Sequence, residues 1–214
     1  MKAPLLRSRT AHRGFTLIEL LTVIAIIGIL AAIIIPTTGA VRTSAKKAQT
    51  KSMFSQWSNA YTLFKQEYGF YPDAAGADNK FEDSADTLRF LGAFTAKKVD
   101  GTTNADAADL LGNKRRLKFY GLSDSELPAT TGLLTDAFGN TEFGVVIDRN
   151  SDGVIKSDET GGLPAVAPAG GGANFTPSTG SATSDIPTNG VRAGVIFYSA
   201  GKDGTGNNVV MSCK

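Results

Sequence analysis

The run Phe15–Ile35, FTLIELLTVIAIIGILAAIII, has one charged residue, Glu19, in twenty-one positions and ends at Pro36. As a helix rising about 1.5 Å per residue it would reach roughly 30 Å, the thickness of a bilayer core. A helix buried in a soluble core would be shorter and less continuously apolar, so the sequence predicts a membrane span over residues 15–36. A cleaved secretory signal shares the plan of a basic start followed by an apolar run. Three features weigh against it: the length of the run, the carboxylate near its start, and the isoleucines that follow the small pair Ala31–Ala32.

The charge is unevenly placed. Lys2, Arg7, Arg9 and Arg13 precede the span with no acidic residue among them, and taking these four from the 22 basic residues leaves 18 against 20 acidic ones. The body of the chain is therefore slightly acidic, which disfavours a nucleic-acid binder with a pervasive basic face. The run Lys114-Arg115-Arg116-Leu117-Lys118 has no supporting basic stripe and reads as a solvated face, so no nucleic acid is expected as a partner. One cysteine, Cys213, and one histidine, His12, exclude a zinc site of Cys and His ligands and any Ser-His-Asp or Cys-His catalytic arrangement. No enzymatic activity is expected.

Lysines and arginines near the span are evenly divided, with four before it and four after it, Arg42, Lys46, Lys47 and Lys51. The leader charges abut the apolar run and the others stand off from Pro36. By the positive-inside rule this places residues 1–14 in the cytoplasm and the remainder outside.

The string Arg13-Gly14-Phe15-Thr16-Leu17-Ile18-Glu19, with the apolar run behind it, resembles the N-terminal signature of type IV pilins and of the pseudopilins of type II secretion. The resemblance implies that a membrane prepilin peptidase cuts after Gly14 and methylates the new amino terminus at Phe15. It also implies that Glu19 meets the amine of a preceding subunit during assembly. A physical reason supports such a role. A carboxylate in hydrocarbon costs on the order of 3 kcal/mol by insertion scales, so it should be paired or functional. Cleavage would create a cationic amine one helical turn away, and the positive end of the helix dipole favours an anion there. The plainer alternative is a Glu19 that snorkels to the headgroups.

Beyond Pro36 the pattern predicts a continuing helix to about Tyr68, kinked or softened near Pro36, Gly28 and Gly39. Phe54, Trp57, Tyr61, Phe64 and Tyr68 recur at spacings of three and four, which places them on one face. A helix packed on a sheet explains this stripe better than a ligand platform does. Gly69 and Pro72 end the helix. Residues 70–134 read as a variable αβ connector with short helical pieces such as Thr87–Phe94. In the C-terminal region, 135–214, Phe143–Ile147, Val191–Tyr198 and Asn208–Ser212 read as strands of an antiparallel sheet of three or four strands. The tract 160–190 is rich in Gly, Pro, Ala, Ser and Thr, and is expected to be a mobile surface loop too poor in apolar surface to pack a core.

Two further strings, Thr135–Thr141 (TDAFGNT) and Ser199–Gly206 (SAGKDGTG), resemble segments of the major pseudopilin of type II secretion. There the first has the form DPWGNPY and the second SxGxDGxxGT. Ala137 and Phe138 here replace the proline and tryptophan. The resemblance implies an α+β fold in which a long N-terminal helix, membrane-spanning in its first half (15–36) and continuing over 37–69, packs on a small antiparallel sheet like a lollipop. It implies a single-pass protein of the inner membrane with its head in the periplasm or outside. Its partners would be copies of itself in a filament, other pilin-like subunits, the prepilin peptidase and an inner-membrane assembly platform. A type IV pilus subunit is the alternative within the class, and a monomeric membrane-tethered calcium-binding domain the alternative outside it.

Residues Asp148–Glu159 (DRNSDGVIKSDE) fit the calcium-loop pattern D-x-[DN]-x-[DN]-G with an acidic twelfth residue. Asp148, Asn150 and Asp152 would offer side-chain oxygens, Val154 its carbonyl, and Glu159 would close the site, with Gly153 at the sharp turn. Oxygen ligands suit Ca2+, a hard cation. The flanks differ from the helix–loop–helix unit, since strand-like Val145–Ile147 precedes the loop and Gly161–Gly162 follow it. An Asp/Asn/Gly turn between strands is the competing reading.

Overall fold

The computed structural model describes residues 14–76, 78–97, 111–157, 162–205 and 208–213, with Pro36 and Thr37 by their backbone alone. The chain divides into two compact units, 1–42 and 43–214. Helix α1, Leu17–Tyr68, has 52 residues and runs through Pro36 without interruption.

In the first unit the large apolar side chains of α1 point to every side. They are exposed, from Val23 at 47% to Leu17 at 81%. A helix apolar all round belongs in a protein core or in a membrane. None of this stretch is buried in the protein, and it is long and apolar enough to cross a bilayer, so it fits a membrane anchor.

The second unit is built on the other half of α1. Phe54, Trp57, Tyr61 and Phe64 are fully buried, and the expected stripe is core rather than platform. The Phe54 ring stacks on Phe197 at 5.7 Å, and Trp57 stands edge-on to Phe143 and Phe197 at 5.5 Å. Helix α2, Ser84–Phe94, adds Phe90 and Phe94 to the same cluster. It begins where the Asp83 side chain accepts from the Asp86 N–H at 2.9 Å, an N-cap that occupies one of the unpaired first-turn donors.

Four strands form one sheet, all neighbours antiparallel, in the order of the chain: β1 (Lys80–Phe81), β2 (Phe143–Ile147), β3 (Val195–Ser199) and β4 (Val210–Met211). The fold is thus α+β, a long N-terminal helix with a small antiparallel sheet, as the sequence predicts. β1 falls in the segment read as a connector, where two residues are too few for an alternating pattern to register.

Period-two alternation separates two cores. Phe143, Val145, Ile147, Val195 and Phe197 join the aromatic cluster of α1. Val146, Ile196, Tyr198 and Met211 face the opposite way and join Ile155, Val166 and Ile186. The second core corrects the expectation for the Gly/Pro-rich tract. Within residues 162–190, Val166 and Ile186 are fully buried, and Val166 bridges Phe175 through paired backbone bonds of 2.9 Å. A few apolar residues suffice because the sheet supplies the rest of that core, and both faces of β2 and β3 are covered.

Candidate functional site: the helix start, a buried polar lock and an acidic loop

At the start of α1 the Thr16 N–H and hydroxyl both donate to Glu19 Oε2, at 2.8 and 2.7 Å. The Glu19 N–H returns a bond to Thr16 Oγ1 at 3.3 Å. This is a capping box, with Thr16 as N-cap and Glu19 at the third helical position, and each side chain satisfies a backbone donor of the other. The single carboxylate of the apolar run is therefore fixed at the positive end of the helix dipole. Gly14 and Phe15 precede the helix, and the Phe15 side chain is 82% exposed. The sequence carries the signal for the capping box, since T-x-x-E before an apolar run is its signature.

In the second unit the two strings that resemble the major pseudopilin come together. Asp136 is 3% exposed and Asn140 1%. One Asp136 oxygen accepts the N–H groups of Phe138 and Asn140, at 2.8 and 2.9 Å. The other accepts the Asn140 amide at 2.9 Å and the Ser199 hydroxyl at 2.7 Å. Asn140 Nδ2 also donates to the Gly201 carbonyl at 2.7 Å, and its oxygen accepts the Ala169 N–H at 2.6 Å. The lock therefore ties the turn before β2, the end of β3 and the long tract. Burial pushes the Asp136 carboxyl up from its ordinary range, against the pull of the bonds from Ser199, Asn140 and Phe138.

A second buried acceptor has no signature in the sequence. Glu126 takes the Trp57 indole N–H at 3.1 Å and the Tyr120 hydroxyl at 2.5 Å on one oxygen, and the Ser123 N–H and hydroxyl at 2.8 and 2.7 Å on the other. Burial, and then the bond to Glu126, push the Tyr120 phenol well up. The basic run at 114–118 wraps a third such residue. Fully buried Asn113 accepts from the Tyr68 hydroxyl at 2.8 Å and the Leu117 N–H at 2.9 Å. Arg115 pairs with Glu67. A lone polar residue in a loop carries no periodic signal, so neither Glu126 nor Asn113 was legible.

The acidic loop leaves the end of β2. Asp148 is 1% exposed, and its Oδ2 accepts the Gly153 N–H at 2.9 Å. Asn150 Oδ1 accepts the Asp152 N–H at 3.0 Å, and Asp152 Oδ1 the Val154 N–H at 2.8 Å. Ser151 and Gly153 adopt positive φ, 61° and 84°. Asp148, Asn150, Asp152 and Val154 are thus drawn into one turn. Glu159 lies outside the described residues. Among the described residues no three His, Cys, Asp or Glu side chains form a group able to hold a metal ion.

Residues 9–35 match the prokaryotic N-terminal methylation motif. The chain is 37% identical over 101 residues to the type IV major pilin protein PilA of Myxococcus xanthus, an alignment covering 37% of this chain and 46% of that protein. It is 34% identical over 67 residues to the type II secretion system core protein G of Escherichia coli, covering 31% of this chain and 46% of that protein. The chain spans about half the length of these relatives. No solved structure is significantly similar to it. By its methylation motif and these alignments, the chain is similar over part of its length to a type IV major pilin and to a type II secretion core protein.

Proposed function

We propose that this chain is a structural subunit of a pilus-like filament, and within that class a pseudopilin of a type II secretion system whose polymerisation drives protein export. The observation that carries the reading is the first unit of α1. It is a helix apolar on all sides with one carboxylate held at its start, inside a matched methylation motif. In this reading the prepilin peptidase removes residues 1–14 at the cytoplasmic face of the inner membrane and methylates Phe15. The span then waits in the bilayer with the head in the periplasm or outside. On assembly, the spans stack into a filament core on an inner-membrane platform, where apolar surface is covered by neighbouring copies and other pilin-like subunits rather than lipid. Glu19 Oε1 lies outside the capping box and would accept the Phe15 amine of a neighbouring subunit, which sets register. Adding subunits at the base pushes cargo outward.

The pseudopilin assignment rests on the two strings joined through Asp136, Asn140 and Ser199. The similarity to a type IV major pilin favours a second reading, a pilus subunit for adhesion, motility or DNA uptake. Deletion of the gene in its host separates the two. Loss of secreted proteins with surface fibres intact supports the pseudopilin, and loss of fibres with secretion intact supports the pilus. Wild-type protein that cross-links only as monomer would instead favour a tethered domain.

A further inference from the structure

We propose that the turn Asp148–Val154 binds a divalent hard cation, with calcium as the fitting ion, and that the bound ion staples the head at the junction of α1, β1 and β2. The proposal stands independently of the filament reading. Its starting observation is the Asp148 carboxylate, which is divided between its oxygens. Oδ2 holds the Gly153 N–H, so the group is aimed into the turn, while Oδ1 is fully buried and has no hydrogen-bond partner. Leaving a buried carboxylate oxygen unpaired is costly, and such an atom calls for an explanation.

A cation inside the turn supplies one. Asn150 Oδ1 and Asp152 Oδ1 each accept one backbone N–H of the same turn, which places both oxygens in it. With the Val154 carbonyl, these oxygens make an all-oxygen donor set of the kind calcium takes at six to eight coordination, water completing it. Zinc would want nitrogen or sulfur. Asp148 and Ser151 also line a cavity of about 390 Å³, together with Asp73. The competing cation is Lys156, whose ammonium lies 2.9 Å from Asp152 Oδ2. Both side chains are 38% exposed, and an ion pair at the surface is weak enough to yield to a divalent ion.

The turn is tied to its surroundings by Lys65 of α1, which donates to Ser151 Oγ at 3.0 Å, and by Arg149, which donates to Asn79 Oδ1 beside β1 at 2.9 Å. Ordering the turn therefore stabilises the junction, and a ligand of the native state raises its melting temperature by mass action.

The test uses the full chain in detergent micelles, stripped with chelator and titrated with CaCl2 or MgCl2. With a dissociation constant on the order of 0.1 mM, as in extracellular modules, 1 mM calcium should raise the midpoint by about 3–5 °C. Magnesium should raise it less, since it loses its water reluctantly. Asp148→Asn should abolish the calcium shift. Because Asp148 is buried, the exposed Asp152→Ala is the second variant; it keeps the fold and should cut the shift at least threefold. No shift in the wild type, or a shift undiminished in Asp152→Ala, overturns the site.

Discussion

The Ser199 hydroxyl donates to the Asp136 carboxylate at 2.7 Å, across 63 residues of chain, with both groups shut off from solvent. This one bond joins the turn before β2 to the end of β3. Asn140 completes it by bonding both partners. The structure here depends on a saturated buried acceptor, and such networks become costly when one member is altered.

Replacing Asp136 with Asn would put an amide donor where donors already point. The expected cost is about 1–3 kcal/mol, or a midpoint lower by roughly 2–4 °C per kcal/mol for a chain of this size. The variant also tests the electrostatics. Because burial raises the folded-state value above the unfolded one, the folded state holds its proton more tightly. Asp136 therefore contributes most below the unfolded value of about 3.9, and that contribution is lost as pH rises through the folded value. The wild-type advantage over Asp136→Asn should narrow between pH 3 and pH 7. An advantage that widens with pH would show that the hydrogen bonds, not burial, dominate the carboxyl.

Gly144 pairs with Tyr198 across β2 and β3, and a Cβ at Gly144 would run into the Tyr198 ring. The missing side chain lets the ring lie across the neighbouring strand while its hydroxyl reaches the Pro164 carbonyl at 2.8 Å. Gly144→Val should cost about 1–3 kcal/mol by overpacking, and Tyr198→Phe about 1 kcal/mol for one hydrogen bond. Both should speed proteolysis within residues 162–190. Digestion at the wild-type rate in Gly144→Val would mean that this pair does not anchor the tract.

The long elements were legible in the sequence because their signals repeat. The apolar run, the aromatic spacing from Phe54 to Phe64, and the alternation of Phe143–Ile147 each register several times over. Contributions made by single residues were hidden. Val166 and Ile186 look isolated among Gly, Pro and Ser until the sheet face carrying Ile196 and Tyr198 is placed beside them. Asp136 and Ser199 could be noticed only as parts of two strings, and nothing local says that they touch. Glu126 acquires its role from Trp57, 69 positions away. Thr16 is readable in the sequence, since its box with Glu19 is local.

At the helix start, substitution separates cap from charge. Thr16→Val removes the hydroxyl of the box but keeps Glu19, and should weaken the first turn by about 0.5–2 kcal/mol while filaments still form. Glu19→Ala removes a charge that costs on the order of 3 kcal/mol in lipid, so insertion should persist while cross-linked oligomers fall strongly. Normal filaments from Glu19→Ala would make the carboxylate a bystander. Equal loss in both variants would make the cap, rather than the charge, the requirement.

The most direct measurement is intact and N-terminal mass spectrometry of the chain extracted from membranes of its native host. The filament-subunit account predicts a mature protein that begins at Phe15 and carries one methyl group on its amine. A chain that begins near Ala32 or later, having lost the apolar half of α1 and Glu19 with it, would contradict the account.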